Sequence, residues 1–177
     1  MGVADTSVRI REIHLSEVRE MRQTHRRAWL ETYPNDEYGV SLAWVGDVTD
    51  AWLTPESLAQ WRGYLGEAMT DPNQYSRVAD LDGRIVGLLH ALREPEGRVE
   101  LRSIYVDPSC FGQGVGPALF EAFEAWAGPA AIWLGVAVYN HRAIKFYQRR
   151  GFAIVPGSQR CPSGVIPMID MAREPTP

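Results

Sequence analysis

The chain has 177 residues, 45% of them hydrophobic and 23% charged, which suffices for one domain with a full core but not for two of ordinary size. Eighteen basic residues against 22 acidic ones give a net charge of −4, which argues against a general nucleic-acid binder because phosphate neutralisation needs a basic surface. No stretch approaches the roughly 20 apolar residues that span a bilayer, so no membrane partner is expected. The N-terminus also lacks a basic segment followed by an apolar one. The expectation is a cytoplasmic protein, a single domain over residues 1–177 with 1–6 disordered, acting as a monomer or homodimer. Cys110 and Cys161 stand far apart, with no Cys-x-x-Cys pair and no nearby histidine, so neither a disulfide framework nor a metal site is expected. Seventeen of the 18 basic residues are arginine, as in proteins of GC-rich bacteria.

In chain order, Val8, Ile10 and Ile13 suggest a first strand, after which Ser16 can cap a helix running to Leu30. Thr54-Pro55-Glu56 opens a second helix, expected to end near Met69. Tyr75 to Leu81, Ile85 to Leu92 and Val99 to Val106, joined by Asp82-Gly83 and Glu94-Pro95-Glu96-Gly97, read as an antiparallel meander. A glycine-rich loop then opens a helix carrying Leu119, Ala122, Phe123 and Trp126 on one face. Ala131 to Val138 follows as a buried strand, Asn140 caps a helix ending at Gly151, and Phe152 to Val155 and Val165 to Met171 close the chain. This order is α+β, with helices packed on a mostly antiparallel sheet.

Two segments carry chemical information. Phe111-Gly112-Gln113-Gly114-Val115-Gly116 lies between a strand and a helix, where closely spaced glycines turn successive N–H groups toward an anion. It is not a Walker loop, and Pro117 breaks the dinucleotide spacing. The second segment, Ala28 to Trp61, has no Lys, Arg or His but holds six carboxylates and six aromatic residues.

Glu100 to Pro108, the glycine loop, Asn140 to Tyr147 and Arg150-Gly151-Phe152 together resemble the GNAT superfamily of acyl-CoA-dependent N-acetyltransferases. The likeness covers Val8 to Arg173 in element order. More loosely, Trp29 to Tyr33 and Leu101 to Pro108 look like bacterial members that acetylate polyamines. The resemblance implies a GNAT fold, a central mostly antiparallel mixed sheet flanked by helices. It further implies that the strand ending at Val106 bulges and parts from the one ending near Val138. Acetyl-CoA would lie in the gap, held by Ile104, Tyr105 and Val106, by the loop Phe111, Gly112, Gln113, Gly114, Val115 and Gly116, and by Asn140 and Tyr147. The sequence departs from the family where Phe111 replaces a polar residue and Pro117 removes a donor.

The resemblance implies that Tyr147 reaches the acetyl sulfur, where it is the expected general acid for the departing thiolate, since a phenol of pKa about 10 stays protonated at neutral pH. Glu100 is the first candidate base, placed by strand alternation on the side of Arg102 and Ile104, and His90 is the second. The amide near Ile104 or Val106 would stabilise the tetrahedral oxyanion. The resemblance implies that the first two helices and their connection wall the acceptor side; carboxylates and aromatic faces attract cations, so Trp29, Glu31 and Tyr33 are expected to receive a small amine or polyamine. Acetylation of a protein N-terminus or lysine, and acyl-CoA binding without catalysis, are the alternatives.

Overall fold

The computed structural model describes residues 8–175; the disorder expected for residues 1–6 lies outside them. In chain order the elements are β1 (Arg9–Arg11), α1 (Val18–Thr32), α2 (Leu42–Ala51), α3 (Pro55–Ala68), β2 (Gln74–Leu81), β3 (Arg84–Arg93), β4 (Val99–Val106), α4 (Val115–Ala127), β5 (Ile132–Ala137), α5 (His141–Gln148), β6 (Ala153–Ile154) and β7 (Met168–Arg173). The strands form one sheet in the order β1-β2-β3-β4-β5-β7-β6, antiparallel throughout except for β4 and β5.

The centre of the sheet is covered on both faces, which explains why β3 reads as an almost continuous apolar run. A bulge at Val86, opposite Ala79 and Asp80, puts Val86 and Gly87 on the same face, so the alternation of the pleat is broken there. Val78, Ile85 and Leu88 pack toward α1 and α3, whereas Ala79, Val86 and Leu89 pack toward α4 with Leu119, Phe120 and Phe123. Gly87 lies where α4 crosses β3 closely; a Cβ there would stand 2.9 Å from Leu119 and 3.1 Å from Val115.

Several element ends differ from the sequence reading. Ser16 does not cap α1: a single 3₁₀ turn, Leu15–Glu17, precedes it, and the Glu17 carboxylate accepts from the His14 N–H and pairs with Arg11. Helix α2 was not expected. Ser41 caps it, but only Val45 and Thr49 are buried, so its apolar stripe is too narrow to register as a period. The last strand begins at Met168, not Val165, because the Ser163 hydroxyl accepts from the N–H groups of Val165 and Ile166 and holds both in a turn.

Candidate active site

Strands β4 and β5 pair only at Val99 with Ile132 and Glu100 with Trp133. Beyond that point they part, and the gap is a cleft of about 410 Å³ walled by β4, β5, the glycine loop and α5. Asp107 donates to the carbonyl of Val86, so antiparallel alternation turns the N–H and C=O groups of Ile104 and Val106 away from β3 and toward the gap.

At the open end of the cleft, Gly114 caps α4 with φ 81°, and Gly112 has φ 78°. Among the described residues the amides of Gly112, Gly114, Val115 and Gly116 donate to no backbone carbonyl. These are the orphan donors of a helix start, and a Cβ at Gly112 or Gly114 would meet nothing within 4 Å. The loop therefore fits an oxyanion such as a pyrophosphate. Pro117 falls in the first turn, where its missing N–H breaks no helical bond. Asp107 anchors the approach to the loop. Its carboxyl is held below the usual range: burial acts against this, but bonds from Ser109 and Arg27 outweigh it.

Ile104, Tyr105, Val106, Phe111, Gly112, Gly114, Val115, Gly116, Asn140 and Tyr147 all line the cleft, as does Tyr33. Gln113 does not; its side chain donates to the carbonyl of Ser109. Asn140 caps α5 by accepting from the Ala143 N–H, and this leaves it on the cleft wall. Tyr147 is 7% exposed and packs against Phe120 and Phe152, and burial raises its phenol well above the ordinary value. It therefore stays protonated, as a donor must. Arg142, absent from the sequence reading, also lines the cleft, with its guanidinium 3.7 Å from the centre of the Phe111 ring.

The acceptor side departs from expectation. Strand β4 has a bulge opposite His90 and Ala91, where Leu101 and Ser103 pair with neighbouring residues of β3 and Arg102 is extra. Leu101 and Ile104 consequently share the α4 face, and alternation is lost between Glu100 and Ile104. Glu100 points to the opposite face, where its carboxylate accepts from Arg102 at 2.8 Å, and it lines neither cavity.

That opposite face holds a second cavity of about 310 Å³, which shares Arg102, Ser103 and Tyr105 with the cleft. Its wall includes Arg22, His25, Trp29, Trp61, Tyr64 and His90. His90 is bonded on both ring nitrogens, to Ser76 at 2.7 Å and to Tyr64, and burial together with Arg102 pushes it down to about 4. Tyr33 and Tyr105 share a hydroxyl bond of 2.8 Å. Glu31, Asp36, Glu37, Asp47, Asp50 and Glu56 are all exposed, so the carboxylates of the acidic segment face solvent while Trp29, Tyr33 and Trp61 turn inward.

Residues 18–152 match the family model of the acetyltransferase (GNAT) family. An uncharacterized N-acetyltransferase of Mycobacterium bovis is 40% identical over 93 residues, 51% of this chain and 60% of that protein, so the likeness spans about three-fifths of the relative's length. A mycothiol acetyltransferase of Clavibacter sepedonicus is 31% identical over 131 residues, 64% of this chain and 43% of that one. Among solved structures, the PaiA N-acetyltransferase of Thermoplasma acidophilum in complex with coenzyme A superposes with a TM-score of 0.76, covering 95% of this chain and 99% of that one at 18% identity. This last likeness concerns the fold. No helix among the described residues is long and apolar enough to cross a membrane.

Proposed function

Because the chain belongs to the GNAT acetyltransferase family, we propose that it moves the acetyl group of acetyl-CoA to the primary amine of a small molecule. The observation that carries this reading is the parting of β4 from β5 in front of free amides at the start of α4, with Tyr147 on the same cleft wall. The glycine-loop amides would hold the pyrophosphate, and Ile104 and Val106 would bond the amide-bearing arm along the β4 edge. The coenzyme A complex of the Thermoplasma neighbour and the mycothiol acetyltransferase relative support a CoA-dependent small-molecule reaction.

In the reaction the amine nitrogen attacks the thioester carbon, the carbon–sulfur bond breaks, and Tyr147 gives its proton to the departing thiolate. An amide of β4, at Ile104 or Val106, stabilises the charge that develops on the carbonyl oxygen. A base must first take a proton from the ammonium. Of the two candidates, His90 lines the acceptor-side cavity and is unprotonated at neutral pH; with both ring nitrogens bonded, it would take the proton through the Tyr64 hydroxyl. Glu100 is tied to Arg102 outside that cavity. With His90 in this role the rate profile has an acidic limb near pH 4, removed in His90→Gln and retained in Glu100→Gln.

The test is release of free thiol from acetyl-CoA with a panel of small amines, alongside calorimetry with CoA. Tyr147→Phe should lower turnover by about 10²-fold, the usual scale for a proton-transfer group, with little change in CoA affinity. CoA binding without thiol release for any amine would instead support a sensor. Preference for peptide N-termini or lysine side chains would support a protein acetyltransferase.

A further inference from the structure

Arg22 is 2% exposed on the wall of the acceptor-side cavity, with its guanidinium 4.1 Å from the ring centre of Trp52 and 4.3 Å from that of Trp61. No ion pair within 4.0 Å reaches it among the described residues, although ten such pairs are formed elsewhere. A buried cation is costly without a counter-ion. The tryptophan faces offset part of that cost but offer the N–H groups no oxygen.

The neighbours of Arg22 sharpen this. Its Nη1 donates to Nδ1 of His25 at 2.9 Å. A guanidinium can only donate, so Nδ1 is the acceptor and the imidazole proton sits on Nε2. That Nε2–H is buried without an acceptor, and so are Nε–H of Arg22 and Nε1–H of Trp29. Three donors and one full positive charge thus lack oxygen partners on the wall of one cavity.

We propose that the acceptor amine carries a carboxylate, as a free amino acid does, and that Arg22, His25 and Trp29 receive it. The proposal rests on the acetyl-transfer reading and names the substrate class for the same site. The cavity meets the cofactor cleft at Ser103 and Tyr105, so a ligand anchored by its carboxylate at Arg22 has its amine directed toward the acetyl group. Next to Trp29, expected to receive a substrate ammonium, Trp52 and Trp61 already hold a cation of the protein's own. A polyamine would place further positive charge against it.

The experiment compares free amino acids with their carboxamides and their decarboxylated amines as acceptors, in wild type, Arg22→Lys and Arg22→Met. Folding of each variant is checked by melting and by CoA binding. Wild type should prefer the carboxylate member by at least about tenfold in kcat/KM, Arg22→Lys should keep part of the preference, and Arg22→Met should lose it. Equal or better use of the carboxamide, or a preference that survives Arg22→Met, overturns the proposal. Tryptophan fluorescence with benzoate and neutral benzamide is run in parallel. A benzoate-selective change lost in Arg22→Met supports the anion site even if no amine is acetylated, in which case only the transferase reading fails. No benzoate selectivity in wild type overturns the anion site while leaving acetyl transfer to stand on thiol release.

Discussion

Phe111 occupies the position where the resemblance calls for a polar residue beside the pyrophosphate, and the loss is local. Arg142, two residues beyond the cap Asn140, lays its guanidinium over the Phe111 ring at the edge of the same cleft. The aromatic face holds a cation beside the glycine loop. Arg142→Ala should weaken CoA binding about tenfold, the scale of one partly solvated charge-assisted contact. The salt dependence of binding should flatten too, because one of the attracting charges is gone. Calorimetry at two ionic strengths checks both, and unchanged affinity would assign Arg142 to the surface alone. The pair was hidden in the sequence because Phe111 and Arg142 are separated by α4 and β5, and only the return of α5 to the cleft brings them together.

At the scale of elements, the position of α4 decides the cradle, and Gly87 decides how closely α4 lies on β3. An added Cβ would press on Leu119, on the carbonyl of Tyr105 and on Val115, the first residue of α4. Gly87→Ala should cost about 1–3 kcal/mol, the usual range for overpacking a filled core. It should also weaken CoA binding, since relief of the contact moves the helix start that presents the amides. Urea unfolding and CoA titration measure the two effects, and wild-type values in both would show that the helix yields without consequence. The bulge in β4 has comparable reach. Strict alternation from Glu100 puts that residue on the side of Ile104, whereas one extra residue at Arg102 sends it to the other face. The resemblance implies a bulge in this strand, but nothing in the run Glu-Leu-Arg-Ser-Ile-Tyr-Val marks the position at which it falls.

For the molecule as a whole, a buried histidine and a half-buried one tie stability to pH. His25 is pushed down to about 3 by burial and by Arg22, and His90 to about 4 by burial and by Arg102. In the unfolded chain both titrate near 6.5, so between the folded and unfolded values the unfolded state holds more protons. Stability is therefore complete above about pH 6.5 and falls as pH drops below it. Each histidine adds a slope of up to about 1.4 kcal/mol per pH unit. Asp80 and Asp107 are held below their ordinary value by their partners, so their contributions are lost only at lower pH. Urea unfolding between pH 7 and pH 4.5 should show the histidine slope, and His90→Gln should reduce it by about half. A profile flat over that interval in wild type would mean that neither histidine is held neutral.

The α+β order, the meander, the glycine loop at a helix start, the cap at Asn140 and the likeness to the family can be read from the residues alone, because each depends on neighbours within one element or on a short motif. The tyrosine at 147 and the strand ending at Val106 were legible for the same reason. The acceptor side, by contrast, is set by packing between distant elements. The segment from Ala28 to Trp61 reads as acidic and aromatic together, but folding sorts the two classes: every carboxylate goes to water, and the rings close around Arg22 and His25. Composition fixes which charges a segment carries. The direction each one faces follows from the desolvation cost at its own position, and that depends on how α1, α2 and α3 pack on β3 and β4.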